Sequence, residues 1–326
     1  MERPLLLPFV PLYRLGLAFD RWRRARDVYR SSRPVLSVGS ITAGGAGKTP
    51  LVRWLVEYLQ EHVPVIVLSR GYGRSARGSV LWHAGDPLPD PAVIGDEPAM
   101  LARSLRNGSV AVGSNRRELL RSLDQAHVPG IAILDDGFQH WPIHRDLDLV
   151  LLTAETFSSS LLPAGNRREP LGALRRADLL LSYEPGVLDA ADRYLGGRGG
   201  VGGALELRTE GVYALDTGER IELGGDVVLV TGIARPERVV TAVERMGLRV
   251  AEHLIYRDHV RYTPSMVREI ERRRRERGGG WIVTTEKDAV KLEQATGEIE
   301  RVAYLKMATA GGGLAKLRSV INPLLQ

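Results

Sequence analysis

The turn Thr42-Ala43-Gly44-Gly45-Ala46-Gly47-Lys48-Thr49 combines three glycines with a closing lysine and hydroxyl, residue types that in this order suit phosphate binding. Glycines let consecutive backbone N–H groups converge on one anion, and the N-terminus of a following helix adds its positive end. Lys48 would then reach the terminal phosphates of a nucleotide, and the Thr49 hydroxyl would face Mg²⁺. The first position is Thr42, where the general motif has glycine. Of the 45 basic residues five are lysines, and Lys48 is the only one before Lys287. In a chain built on arginine, a lysine here favours a phosphate loop over an incidental glycine turn.

A second constellation is Ile131-Ala132-Ile133-Leu134-Asp135-Asp136-Gly137-Phe138-Gln139-His140. An apolar strand that ends in carboxylates is how such enzymes bring an anion to Mg²⁺ beside the loop, although aspartates also open ordinary turns. With the loop upstream, Asp135 or Asp136 is expected to bind the metal or its water. Further polar clusters fall at expected strand or helix ends: Arg70-Gly71-Tyr72-Gly73-Arg74, Gly95-Asp96-Glu97-Pro98, Asn115-Arg116-Arg117-Glu118 and Leu162 to Pro170. Each alone could be a turn, a cap or a surface ion pair.

These residues need a scaffold. Pro34 to Val38 reads as a strand into the loop and Leu51 to Leu59 as a helix out of it, with Pro50 suited to a first helical turn. Val63–Leu68, Val110–Val112, Ile131–Leu134 and Leu147–Leu152 are further strand candidates. Their alternation with helical patterns predicts an α/β fold, a parallel sheet with helices on both faces, binding ligand at the carboxyl ends of its strands. A glycine cluster over 196–203 reads as a flexible boundary. Short strands at Leu205–Leu207 and Gly211–Tyr213 follow, then a new α/β pattern whose clearest strands are Val227–Gly232 and Trp281–Thr285. The expected organisation is an N-terminal segment over 1–30, a phosphate-loop domain over 31–203, an extended β linker over 204–224 and a smaller α/β domain over 225–326.

With 326 residues, two domains can each bury a core. The absence of cysteine excludes disulfides and thiolate metal sites. A net charge of +6 and a pI near 9.7 favour an acidic partner. The mixed-sign run Arg268 to Arg277 has no aromatic residue and reads as a solvated helix face, so nucleic acid is not expected. Residues 1–30 are too short and too broken by Pro4, Pro8 and Pro11 to span a bilayer, which takes about twenty apolar residues. No small-residue cleavage signature marks them for export. Leu12, Leu15, Phe19 and Trp22 nonetheless share one helical stripe, with Arg21, Arg23, Arg24 and Arg26 around it. That pattern suits a membrane interface or a helix packed on the domain with a solvated basic face.

Taken together, the loop, Arg70 to Arg74, Gly95 to Pro98, Asp135 to His140, Leu162 to Pro170, Thr231 to Arg238, Asp258-His259 and Thr285 to Leu292 resemble the tetraacyldisaccharide 4'-kinase (lipid A 4'-kinase) family. The resemblance spans nearly the whole chain in the family's order, and the family also writes threonine at the first loop position. Two departures stand out: His259-Val260 replaces a tandem histidine, and Tyr256-Arg257 replaces Phe-Pro.

The resemblance implies transfer of the γ-phosphoryl group of ATP to the 4'-hydroxyl of a tetraacylated disaccharide 1-phosphate, giving lipid IVA. It assigns the phosphates to Lys48 and the loop, and Mg²⁺ to Thr49 with Asp135, Asp136 or Glu169. Asp96 becomes the base that takes the hydroxyl proton, oriented by His259. Arg116 and Arg168 neutralise phosphate charge, and Tyr72 sits at the nucleotide. Because the acceptor lies in a bilayer, the N-terminal segment is expected to attach peripherally or monotopically to the cytoplasmic face of the bacterial inner membrane, with no obligate protein partner. The Thr285–Leu292 motif is either a structural ion-pair turn or an acceptor-phosphate contact. The competing class is a phosphate-loop GTPase or ATPase switch, but the guanine-selecting Asn-Lys-x-Asp is not matched by Thr285-Glu286-Lys287-Asp288.

Overall fold

The computed structural model describes residues 3–197, 202–233, 236–258, 260–278, 280–294 and 299–325. A short 3-10 helix, Pro4–Phe9, leads into α1, Val10–Arg24. Strand β1, Val35–Gly39, is buried throughout and feeds the glycine turn, which ends in α2, Lys48–Leu59. Then come β2, Val65–Ser69, β3, Val80–His83, α3, Pro91–Ile94, α4, Asp96–Ser104, and β4, Gly108–Val112. Helix α5, Arg116–Gln125, β5, Ile131–Asp135, β6, Leu147–Leu152, α6, Glu155–Ser158, β7, Leu179–Ser182, α7, Val187–Leu195, and β8, Gly202–Ala204, complete the first sheet and its helices.

That sheet has the order β3-β4-β2-β5-β1-β6-β7-β8 and is parallel except for β3 at its edge. Parallel strands buried on both faces must be apolar at successive positions, and the packing follows. Leu36, Val65 and Val67 enter a core with α2 and α4, while Val35, Ile66 and Leu68 enter another with Leu120 and Leu123 of α5.

The register matters for chemistry. β1 lies between β5 and β6, with Val38 beside Asp135. The acidic strand end therefore arrives where the glycine turn begins. Gly39 permits the contact, because a Cβ there would fall 2.5 Å from Cβ of Phe138 and 2.9 Å from its backbone nitrogen.

The second sheet comprises β9, Glu206–Ala214, β10, Arg220–Ile221, β11, Asp226–Thr231, β12, Arg249–Ile255, β13, Trp281–Thr285, and β14, Val302–Ala310. Its order is β10-β9-β14-β13-β11-β12. Helices α8, Glu237–Arg245, α9, Pro264–Glu276, α10, Glu286–Gln294, and α11, Gly313–Ile321, accompany it. The two short strands expected around Gly211 are one nine-residue strand, β9, paired antiparallel with β14 through a register shift at Lys306 and Met307. Gly202 and Gly203 extend the first sheet as β8, while 198–201 lie outside the described residues. Helix α11 returns to the first sheet, placing Leu317 and Ile321 in its core.

The charged run on α9 is only partly solvated. Arg272 pairs with Glu269 at the surface, but Glu271 and Arg274 are buried as a pair 2.5 Å apart. Their mutual hydrogen bonds make that burial tolerable.

Gly39→Ala should overpack the contact with Phe138 and cost about 1–3 kcal/mol. Denaturant unfolding of the purified variant measures this, and an unchanged midpoint would show that the turn after β5 has room to move.

Candidate active site

The glycine turn is held from the side as well as by its own strand. Thr42 forms an antiparallel bridge with Arg167, the Ala43 N–H donates to the Asn166 carbonyl at 2.7 Å, and the Arg168 N–H donates to the Ile41 carbonyl at 2.7 Å. Thr42 also exchanges a 2.9 Å hydrogen bond with the Ser40 hydroxyl. Gly44 and Gly47 adopt φ of 110° and 82°, conformations that favour glycine. At Gly47 a Cβ would also press 2.7 Å into the Tyr183 ring. Gly45 and Ala46 complete the turn, and Lys48 and Thr49 begin α2.

Lys48 projects towards the acidic strand end, its Nζ 3.4 Å from Oδ1 of Asp136. Arg168 approaches the other oxygen of that carboxylate at 2.7 Å. Arg116 is buried beneath them and donates to the Asp135 carbonyl at 2.5 Å. Ser69, at the end of β2, donates to Oδ2 of Asp135 at 3.1 Å. Lys48, Arg116, Asp135, Asp136 and Arg168 line a cavity of about 350 Å³, together with Tyr72 and Glu97.

Several charges here are displaced from their ordinary behaviour. Burial, with Glu97 and Asp136 adding repulsion, pushes the Asp135 carboxyl up to about 6. Burial also raises Glu97, against the pull of Lys287 and Lys48. For Asp136 burial acts upward too, but Lys48 and Arg168 overcome it and hold the carboxyl below its usual range. Burial and the neighbouring Arg70 bring Arg116 down to about 10, which leaves it a cation at neutral pH. Burial and surrounding arginines, Arg116 first, lower His140 to about 3, so its ring is neutral.

Glu169 lies on the other side of Gln139. Its carboxylate accepts from Gln139 at 2.9 Å and from Arg176 at 2.9 and 3.1 Å, while Gln139 also donates to the Ser40 carbonyl. Asp96 opens α4 with its Oδ2 3.8 Å from Nζ of Lys291, on the second sheet's α10. His259 lies outside the described residues. Its neighbour Asp258 pairs with Lys287 at 2.8 Å.

Some participants escaped the sequence reading. Glu97 stood inside a motif already noted, and its adjacency to Asp96 was the available signal. Gln139 likewise stood inside the Asp135 to His140 motif, whereas Ser69 carried no signal, because its contact needs the strand register. The Thr285–Leu292 motif resolves into ion pairs: Glu286 with Arg53 of α2, Lys287 with Asp258, and Lys291 with Asp288 at 2.7 Å.

The N-terminal helix is wired to the same region. The Tyr13 hydroxyl donates to the Arg168 carbonyl at 2.9 Å, and the Arg21 guanidinium lies 4.7 Å over the Trp141 ring. Its apolar stripe faces away, with Leu12 67% and Trp22 52% exposed. No helix among the described residues is long and apolar enough to cross a membrane.

A glycine loop on a central parallel strand, carboxylates on the adjoining strand and cations converging over one cavity define a phosphate-loop nucleotide-binding fold. Within that class, the chain belongs to the LpxK family, tetraacyldisaccharide-1-P 4'-kinase, which it matches over residues 2–326. It is 36% identical to the tetraacyldisaccharide 4'-kinase of Chlorobium phaeovibrioides, covering 99% of both chains. To the enzyme of that name from Anaeromyxobacter dehalogenans strain 2CP-C it is 38% identical, over 90% of this chain and 82% of the relative. A crystal structure of LpxK from Aquifex aeolicus in complex with ATP superposes with a TM-score of 0.81 at 28% identity, covering 99% of each chain. The family makes this chain a kinase of lipid A biosynthesis and disfavours a regulatory switch.

A raised carboxyl leaves stability fully present below its unfolded pKa of 3.8 and lost as pH rises through about 6. Asp135→Asn removes that loss. In nucleotide-free protein treated with EDTA, the variant should gain up to about 3 kcal/mol over the parent between pH 4 and pH 8. Thermal unfolding across that range tests it, and a parallel pH dependence in both proteins would refute the shift.

Proposed function

We propose that the chain transfers the γ-phosphoryl group of ATP to the 4'-hydroxyl of a tetraacylated glucosamine disaccharide 1-phosphate at a membrane surface, releasing lipid IVA and ADP. The observation that carries this reading is the grip of Lys48 and Arg168 on one carboxylate, Asp136, in a cavity walled by Glu97 beside Asp96. Residues 31–203 hold the phosphates in this reading, 225–326 supply His259, and 204–224 join the two.

Phosphoryl transfer asks for positioning and charge neutralisation more than covalent chemistry. The loop amides from Ala43 to Lys48 and the Lys48 ammonium would take the β- and γ-phosphates, with Arg116 and Arg168 countering charge on the transferring group. Beyond Gly45 and Gly47 a second cavity of about 580 Å³, lined by Tyr183, Glu184, Arg208, Arg238 and Arg245, would receive the nucleoside. Tyr72, exposed in the lining of the first cavity, would sit at the nucleotide. Asp96 would accept the proton of the sugar hydroxyl as the P–O bond forms, with His259 orienting it.

The oxygen donors suit Mg²⁺. Oδ1 of Asp136 is buried and, among the described residues, meets only the Lys48 ammonium at 3.4 Å, with no closer hydrogen-bond donor, and Asp135 and the Thr49 hydroxyl would add hard oxygen ligands. Glu169, already satisfied by Arg176 and Gln139, would act from one layer further out. Bound Mg²⁺ would draw charge from the β- and γ-phosphoryl oxygens.

The exposed stripe of α1, flanked by arginines, would lie in the headgroup region of the cytoplasmic leaflet and bring the acceptor to Asp96. Leu15→Glu/Phe19→Glu should keep the fold but lose sedimentation with anionic vesicles and turnover of vesicle-borne acceptor. Undiminished co-sedimentation would sink the attachment.

Asp96→Ala should lower kcat about 10²–10⁴-fold with the ATP KM unchanged, and Lys48→Ala should abolish turnover. Radiolabelled phosphate on the lipid is the readout. ATP hydrolysis indifferent to acceptor, with no labelled lipid, would instead favour a nucleotide switch.

A further inference from the structure

The Thr285–Leu292 motif carries more charge than its turn requires. Asp288 is fully buried and accepts from the Gly232 N–H at 2.8 Å and the Thr285 hydroxyl at 2.9 Å, which is sufficient to fix the β13–α10 junction. Lys291 nevertheless stands 2.7 Å from its other oxygen and is 7% exposed. A lysine is seldom buried without purpose, since its ammonium must be paired to be tolerated. This one looks out of its own lobe, towards Oδ2 of Asp96 at 3.8 Å. One turn earlier, Lys287 pairs with Asp258 and opposes the burial that raises Glu97. Lysines four apart share a helix face, so this face of α10 meets the start of α4.

Asp96 is fixed from its own side by Gly95, at φ 97°, whose missing Cβ lets it pass within reach of Gly71 and the Tyr72 carbonyl. The opposite side is supplied by the second lobe.

We propose that Lys291 is a positioning residue for Asp96, holding its carboxylate in the geometry that receives the sugar hydroxyl when the two lobes are together. The proposal rests on the kinase reading above. Asp288 is the counter-ion that lets Lys291 be buried, and the two act as one unit across the lobe boundary.

Three variants of the full chain test this with ATP and the disaccharide lipid in mixed micelles. Lys291→Met should lower kcat at least tenfold and leave the ATP KM within about twofold, but it also strands Asp288 and lowers Tm. Lys291→Met/Asp288→Asn neutralises the pair, so Tm should recover while kcat stays low. Recovery of kcat together with Tm would overturn the proposal and make the pair structural. In an Asp96→Asn background, Lys291→Met should cost nothing further, because contacting residues that act together are not additive. The same tenfold loss there would also overturn it. If the parent chain forms no phosphorylated lipid, the kinase reading falls first and this proposal with it. Normal parent activity with an indifferent Lys291→Met removes only the positioning role.

Discussion

Val38 and Asp135 lie side by side in the central strand pair, and the chemistry of the molecule depends on that register. One strand delivers a loop of backbone N–H groups, and the next delivers a carboxylate to the same end of the sheet. A slip of one residue would turn every side chain of β5 to the opposite face. The alternating burial of Leu36 and Val38 on one side and Val35 on the other locks the register against such slippage. Gly39 and Gly137 remove the last obstacle, since a Cβ at Gly39 would strike Phe138, and one at Gly137 would strike Leu134 and the Ser37 hydroxyl of β1. Packing thus does what a substrate could not do for itself, holding like charges close together before any ligand arrives.

The charges so assembled are unequal, and their differences have separate causes. Asp135 is confined among anions and apolar strands, which raises it, while Asp136 one residue later is gripped by Lys48 and Arg168, which lowers it. A positive φ of 50° at Asp136 turns the chain at that point and sends the two side chains apart. Lys48 and Arg168 are therefore already placed on a carboxylate, and in the proposed reading a bound polyanion need only share those cations. Such preorganisation is where enzymes that stabilise developing charge gain most.

Much of this was legible in the sequence, for identifiable reasons. Long apolar strands such as Leu147–Leu152 and the glycine turn are local signals, and the parallel sheet with helices on both faces followed from their alternation. The continuity of β9 was not legible, because the polar Arg208-Thr209-Glu210 separates the two apolar pieces and only pairing with β14 carries the strand through. The buried Glu271–Arg274 pair was hidden inside a run that reads as solvated, since burial depends on which helix face meets the sheet. Among site residues, Lys48, Asp135 and Asp136 announced themselves by spacing. Ser69, Gln139 and Lys291 act through distances across 66, 30 and 195 residues of chain respectively, and no local pattern encodes such pairings.

Those long-range pairs also explain how two sheets serve one reaction. Glu286 joins Arg53 on the helix that begins with Lys48, and Arg103 on the helix that begins with Asp96 joins Glu293. Each contact is made by α10 to a helix whose first turn reaches the cavity, through Lys48 in one case and Glu97 in the other. Buried pairs such as Arg53 with Glu286 cost desolvation and add little net stability, so their value lies in orientation. The burial that raises Glu286 and the guanidinium that opposes it mark this junction as a place where separation would leave charges unpaired. Helix α10 is thus the element through which the second sheet pairs with the helices that begin with Lys48 and Asp96.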